Sequence, residues 1–328
     1  MSGLDQETGR DRYFAERDRE LAALADPATG RLDAALAEEI DCPLCGSASH
    51  SALFEKQGFT FVRCDHCRLV FVNPRLKEKL LLDEYRTAGS SDLWFDVLTS
   101  ERQVALDRAK FREVLGLLDP YRNGGRLLDV GCSLGLFLDL ARKRRWHGVG
   151  IEVAPRALAH AREVYGLEVL DVPLAEARLE PGSFDAVTLL SVLEHTPKPR
   201  EMVAECARLL RRGGALYVIV PNLESLACRV LRERARTFDG RNHLVYLSSE
   251  TLTALLRDAG FEPVRLLTRV SSLEPVIRYL AHEEPYGEGP LPPDPLGRWL
   301  EERADEVGRV VEELGLGYKL HCLATKLA

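Results

Sequence analysis

The stretch Leu127-Leu128-Asp129-Val130-Gly131-Cys132-Ser133-Leu134-Gly135 decides the fold of this chain. Apolar residues lead to an acid, and a turn with spaced glycines leads into a second apolar run that begins near Leu136. This order predicts a strand, a tight turn and a helix. Glycine lets the backbone approach a ligand closely, and the start of a helix offers unpaired N–H groups. The stretch therefore predicts a ligand-binding turn, although DVGCSLG does not fit the G-x-G-x-x-G fingerprint of dinucleotide-binding proteins.

Three later stretches complete the pattern. HGVGIE, residues 147–152, predicts a short strand that ends at Glu152. An acid about 20 residues after a glycine turn commonly accepts hydrogen bonds from ribose hydroxyls. GSFDAVTLLSVLEH (182–195) and LLRRGGALYVIVPN (209–222) then predict two further strands.

In this order and spacing the four pieces resemble the class I S-adenosylmethionine (SAM)-dependent methyltransferases, especially those with LEH after the fourth strand and GG…PN around the fifth. The resemblance covers roughly residues 85 to 328. It implies an α/β Rossmann-like fold, in which a seven-stranded, mostly parallel sheet carries helices on both faces. Ser133 stands where the usual loop has glycine.

The same resemblance implies a SAM site at the carboxyl ends of the strands. Asp129 would anchor the loop near the amino-acid part of SAM, Glu152 would bind the ribose hydroxyls and Val153 would lie against adenine. The implied loop residues are Gly131, Cys132, Ser133 and Gly135; Pro173 and Leu174 would flank adenine, and Ser191 and Val192 would lie beneath the methionine portion.

Alternating strand and helix patterns support this fold, since such alternation indicates a parallel sheet covered on both faces. Strands are predicted near 126–130, 147–151, 167–170, 184–190, 214–220, 263–269 and 319–326, and helices near 135–145, 155–165, 199–212, 222–234 and 249–259. The expected organisation is a helical, partly mobile segment over 1–38, a metal-binding module over 39–75 and a methyltransferase domain over 76–328. A loop over 273–297 and a helix over 299–314 predict a lid-like insertion at 273–317.

The region before the sheet is predicted as mainly helical. Short helices are expected at 13–25, 32–40 and 76–85, and a longer one at 102–118. Gly89-Ser90-Ser91 is interpreted as a linker.

Two cysteine pairs predict a metal site. Cys42 and Cys45 form one C-x-x-C, and Cys64 and Cys67 form another after 18 intervening residues. This spacing is typical of zinc sites, and four thiolates leave zinc no open position, so the role is structural. Iron in the same geometry and four free thiols are the alternatives. The module also resembles cysteine-bearing domains that precede methyltransferases of activated sugars and natural products.

Two histidines are candidate general bases. His195 follows the fourth strand directly, although fixing that turn by hydrogen bonds is its alternative role. His243 lies in RNHLVYLS, residues 241–248. This segment resembles the HEHxxYFS stretch of sugar C-methyltransferases, in which the final histidine and preceding glutamate lie at the substrate. Asn242 replaces that glutamate here, which puts sugar C-methylation in doubt.

The composition and net charge argue against several classes of function. A net charge of −7 argues against broad nucleic-acid binding. No apolar run is long enough to span a membrane, and the charged first residues do not resemble a signal peptide. The cysteine usage fits a reducing cytoplasm.

The leading hypothesis is a methyltransferase acting on a small, anionic metabolite: a sugar, sugar nucleotide or natural-product intermediate. Arginines after the fifth strand suit an anion or form a solvated helix face; they are Arg229, Arg232, Arg234, Arg236 and Arg241. Alternatives are an RNA or protein methyltransferase that grips its substrate with the zinc module, a SAM-binding scaffold without activity, and a nicotinamide oxidoreductase.

Overall fold

A seven-stranded sheet forms the centre of the computed structural model, which describes residues 7–87, 89–282, 284–287 and 294–327. Its strands, in spatial order, are β12 (Phe261–Arg269), β13 (Lys319–Lys326), β10 (Leu210–Pro221), β9 (Phe184–Leu190), β6 (Arg126–Val130), β7 (His147–Ile151) and β8 (Glu168–Leu170). The five strands from β10 to β8 are parallel, and β13 runs antiparallel to both of its neighbours. This arrangement confirms the predicted Rossmann-like fold.

Helices cover the sheet and precede it. They are α1 (Arg10–Ala23), α2 (Glu78–Thr87), α3 (Gly89–Thr99), α4 (Glu101–Leu118), α5 (Leu136–Lys143), α6 (Pro155–Glu163), α7 (Pro199–Leu209), α8 (Leu226–Leu231), α9 (Ser249–Asp258), α10 (Glu274–His282), α11 (Pro295–Glu302) and α12 (Ala304–Glu313). The central strands are buried on both faces; all residues of β9 except Leu190 are buried. Continuous apolar strands of this kind are expected when helices pack on both sides of a parallel sheet.

The cysteine region folds as a second, antiparallel sheet. Strands β2 (His50–Lys56), β3 (Phe59–Cys64) and β4 (Val70–Val72) follow one another, and β11 (Val245–Tyr246) pairs with β4 at the edge. The last strand comes from a distant part of the sequence and begins two residues after His243. The cysteine sheet is therefore continuous with a loop of the larger domain.

Three local predictions were wrong. Residues 32–40 form turns and the short strand β1 (Ala37–Glu38), which pairs with β5 (Arg75–Leu76), instead of a helix. Residues 89–91 begin α3 instead of a linker, because Ser90 is buried and hydrogen-bonded to Glu20 of α1. The loop predicted over 273–297 contains α10; residues 283 and 288–293 of that prediction lie outside the described residues. Tertiary contacts outweigh the local glycine and serine signal at residues 89–91.

Candidate active site

The turn between β6 and α5 depends on two glycines. Gly131 has φ +68°, and a Cβ there would lie 2.6 Å from Val192 Cγ2. Gly135 has φ +83°, and a Cβ there would lie 2.5 Å from Leu167 Cδ1. Ser133 also has a positive φ of 50°, so the serine adopts the conformation usually given to glycine. The turn presents backbone to the cleft at its side, which fits close binding of SAM.

Glu152 supports this turn from the end of β7. Its carboxylate accepts a hydrogen bond from the Ser133 N–H at 2.8 Å, and from the N–H groups of Val153 and Ala154, both at 2.8 Å. Burial raises the pKa of Glu152 despite these bonds. The carboxylate lines the cleft, so its remaining lone pairs can accept from ribose hydroxyls.

Asp129 lies deeper than Glu152. It is 2% exposed and accepts a hydrogen bond from Thr188 Oγ1 at 2.6 Å. Burial raises the pKa of Asp129 to about 7, and the negative charge of Glu152 acts in the same direction. A cationic group bound in the cleft would therefore favour the ionised carboxylate, as expected for the amino-acid part of SAM.

All the sequence-predicted SAM residues except Gly135 line one cleft of about 1080 Å³. Its lining includes Asp129, Gly131, Cys132, Ser133, Glu152, Val153, Pro173, Leu174, Ser191 and Val192. Gly135 instead lies at the start of α5, where a Cβ would meet the side chains of Leu167 and Ala161. Both candidate bases, His195 and His243, line the same cleft.

The two histidines lie edge to face, with ring centroids 4.8 Å apart. His195 Nδ1 is 2.8 Å from the Asn242 carbonyl oxygen, and His243 Nδ1 is 2.8 Å from that of Thr237. Because a carbonyl only accepts, each Nδ1 donates and each Nε2 carries a lone pair in the neutral ring. Burial lowers the pKa of His195 to about 4 and also lowers that of His243, so both rings are neutral at pH 7.

Asp239, which the sequence did not single out, organises the segment before His243. It is buried, and its Oδ1 accepts from the N–H groups of Arg241, Asn242 and His243. Although burial opposes ionisation, the nearby His243 and Arg17 lower the pKa of Asp239. A buried carboxylate thus fixes the backbone that carries the candidate base.

Glu194 and Lys319 lie in the part of the cleft that contains the two histidines. Glu194 is 1% exposed, and neither of its carboxylate oxygens has a hydrogen-bond partner among the described residues. One oxygen lies 4.0 Å from Lys319 Nζ and 4.0 Å from His195 Nε2. Ligand-type atoms of Glu194, His195 and His243 all lie within 4.8 Å of one another. The structure therefore gathers acid, base and ammonium groups in one place.

The first helix, which was predicted without a role, forms part of the cleft wall. Tyr13 of α1 packs on Trp94 of α3 with ring centroids 4.9 Å apart. Arg17 lies 3.7 Å from Asp239, and Phe14 lies 3.9 Å from the guanidinium carbon of Arg236. These residues line the cleft. No motif in the first 25 residues indicated this, because the contacts join positions more than 70 residues apart.

The four module cysteines form a compact cluster. Cys42 and Cys67 have sulfurs 3.5 Å apart, as do Cys45 and Cys64, and all four ligand atoms lie within 4.8 Å of one another. The thiols form no disulfide. A cluster of four thiols fits a tetrahedral zinc ion.

Comparison with known proteins agrees with this geometry. The profile of a family described as "Methyltransferase domain" matches residues 100–266. A ubiquinone biosynthesis O-methyltransferase of Xanthomonas axonopodis is 31% identical over 229 residues, which cover 61% of this chain and 92% of that protein. The enzyme of the same name from Xylella fastidiosa is 36% identical over 110 residues, or 30% of this chain and 43% of that protein.

One solved structure shows the fold without close sequence similarity. A Haloferax volcanii methyltransferase, solved in complex with the Trm112 methyltransferase activator, superposes with a TM-score of 0.50 at 16% identity. The match covers 71% of this chain and 98% of that protein. Within the described ranges, no helix is long and apolar enough to cross a membrane.

Proposed function

This chain belongs to the methyltransferase domain family of SAM-dependent enzymes, and we propose that it methylates a hydroxyl group of a small, anionic sugar or natural-product metabolite. The observation that carries this proposal is the position of the Glu194, His195 and His243 cluster. It lies at the end of the cleft next to Ser191 and Val192, where the methyl-bearing part of SAM is expected. The O-methyltransferase names of the relatives support oxygen as the methylated atom.

SAM, when bound, supplies an electrophilic methyl group on a sulfonium. The chain must then hold the acceptor oxygen in line with that carbon, and positioning alone provides much of the rate. We assign His243 as the general base, because its Nδ1 faces the Thr237 carbonyl oxygen and leaves Nε2 to take a proton. His195 holds the turn through its contact with the Asn242 carbonyl oxygen.

The cleft wall supports a small acceptor with an apolar body. Phe14, Trp94, Phe95, Phe111 and Tyr286 contribute rings to it. The Arg236 guanidinium lies 4.0 Å from the Tyr286 ring centroid and brings positive charge to the same wall. Aromatic walls with a few charged groups are typical of small-molecule sites. The alternative of an RNA or protein acceptor has no such supporting observation.

The remaining assignments concern the surroundings of the site. We propose that Cys42, Cys45, Cys64 and Cys67 bind a structural zinc ion. The zinc module covers residues 39–75, and the methyltransferase domain covers residues 76–328. Within this domain, residues 273–317 form a lid over the cleft. Pro275 and Tyr286 of this insertion line the cleft, which supports the last assignment. All eight cysteines are without disulfides, which supports a reducing, cytoplasmic location.

The proposed function is tested first by a binding assay and then by a turnover assay. Calorimetry should show S-adenosylhomocysteine binding, while NAD should produce no heat of binding. A panel of sugar nucleotides, hydroxylated aromatic acids, RNA and protein extract is then incubated with methyl-labelled SAM. Label should enter a small hydroxylated acid in an alkali-stable ether. Label in RNA or protein, or tight cofactor binding without labelling of any acceptor, would contradict the proposal.

A further inference from the structure

We propose that Lys319 is a further catalytic residue, whose ammonium group binds the acceptor oxygen and stabilises its negative charge as the proton leaves. This inference rests on the proposed function. Lys319 is the first residue of β13, and because β13 is antiparallel, it pairs with Pro221, the last residue of β10. The side chain therefore starts at the edge where the parallel strands end, which is where ligands bind in such sheets.

The contacts of Lys319 place its ammonium group beside the candidate reaction centre. Nζ donates a hydrogen bond to Ser191 Oγ at 3.2 Å and lies 4.0 Å from Glu194 Oε1. The side chain is 26% exposed and lines the cleft. One ammonium group thus contacts a residue expected beneath the methionine portion of SAM and approaches the cluster that contains both histidines.

Glu194 favours the charged form of the Lys319 amine. Burial lowers the pKa of Lys319, and the negative charge of Glu194 opposes that shift. A buried carboxylate without hydrogen bonds is costly, so the nearby ammonium is the group that compensates Glu194. From α4, the charge of Asp107 raises the pKa of Lys319, and the charge of Lys110 lowers it.

The reaction can be written with each group in a definite role. The acceptor O–H bond breaks and its proton passes to His243 Nε2. The oxygen forms a bond to the methyl carbon, while the carbon–sulfur bond breaks and its electron pair stays on sulfur. Lys319 donates a hydrogen bond to the oxygen throughout. A preorganised ammonium in a site shielded from water favours the developing oxyanion strongly.

The test uses 4-nitrocatechol, whose ionisation is visible in its absorbance, with the full chain loaded with S-adenosylhomocysteine. Wild-type protein should lower the pKa of the bound probe by at least one pH unit, a tenfold change in its ionisation constant. Lys319→Met should remove most of that shift, and Lys319→Arg should retain it. Lys326→Met is the matched control, since Lys326 lies on the same strand but donates to the Leu210 carbonyl oxygen.

Each other outcome has a definite meaning. Failure of the loaded wild-type protein to bind or shift the probe, or an equal shift in Lys319→Met, would overturn the inference. A shift that requires added Mn²⁺ would assign the stabilisation to a metal ion and would also overturn it. Calorimetry of S-adenosylhomocysteine on the same samples separates the two proposals, because lost cofactor binding in wild type would contradict the proposed function itself.

Discussion

The cofactor end and the acceptor end of the cleft are built in different ways. The cofactor end consists of one turn and the next strand, residues 129–135 and 147–153, which are joined by a short hydrogen bond from Ser133 to Glu152. The acceptor end brings together Glu194, His243 and Lys319, which are distant in sequence. The first is a local structure, whereas the second exists only after distant parts of the chain have come together.

The cysteine module provides the sharpest test of this difference, because its strand β4 pairs with β11, which follows His243 at the acceptor end. Leu244 accepts a hydrogen bond from the Val72 N–H and donates its own N–H to the Glu194 carbonyl oxygen. Cys45→Ser should lose about one zinc ion per chain and destabilise the module, because metal binding and folding are coupled in small zinc domains. Turnover should fall below detection, while affinity for S-adenosylhomocysteine stays within threefold.

Metal analysis and calorimetry check this prediction. Cys206→Ser is the control, because Cys206 is a buried thiol on α7 outside the cluster. No zinc in wild-type protein made under reducing conditions would refute the site. Equal loss of cofactor binding in Cys45→Ser would show that the two ends are not independent.

Substitution of the candidate base should have the next largest effect. His243→Ala should slow the chemical step by about 10²–10⁴-fold, because general base catalysis typically contributes that much. Cofactor affinity should be nearly unchanged. His195→Ala should weaken cofactor binding as well, since the substitution removes the hydrogen bond from His195 Nδ1 to the Asn242 carbonyl oxygen, which holds the turn that follows Val192. Single-turnover rates measure the effect, and full activity in His243→Ala would favour catalysis by positioning alone.

Removal of the proposed ribose contact should have a smaller effect, and this effect should be confined to cofactor binding. Glu152→Ala should weaken S-adenosylhomocysteine binding by about 10–100-fold, because hydrogen bonds to a charged group contribute roughly 1.5–3 kcal/mol. The ligand-induced rise in melting temperature should shrink accordingly. Glu168→Ala, an exposed acid at the start of β8, should keep the full rise. An unchanged shift in Glu152→Ala would mean that the ribose binds elsewhere.

The buried His195 at the acceptor end should make the stability of the protein modestly dependent on pH. Burial holds the pKa of His195 at about 4, below its usual 6.5. As the pH falls from 6.5 towards 4, the unfolded chain therefore takes up a proton that the native state does not. Stability is lost over that range, by roughly 1–2 kcal/mol between pH 7.5 and 5. Urea unfolding of His195→Gln should show a smaller loss, and His147→Gln should behave as wild type; equal losses in all three would contradict the assignment.

Sequence patterns were sufficient to predict the fold, because its strands and turns are encoded by residues that are neighbours in the sequence. The predicted bounds of β6, β7, β9 and β13 match the structure, and all but one of the implied SAM residues line one cleft. Lys319 was missed because the direction of the last strand, which brings its first residue to the ligand edge, has no local signature. Asp239 and the α1 wall were missed for the same reason: their partners are distant in sequence.

The pairing of β4 with β11 has a consequence for how the molecule folds. Strand β4 lies near residue 70, but its edge partner is only available once residues 245–246 have been made. The Phe59 ring also packs against Gly240, with its Cγ 2.4 Å from the position of a Cβ there. Contacts of such sequence separation form late and couple distant segments cooperatively. Hydrogen exchange should therefore show the cysteine sheet and residues 237–247 opening as one unit, and a fragment ending before residue 237 should leave β4 with an exposed edge that is prone to association.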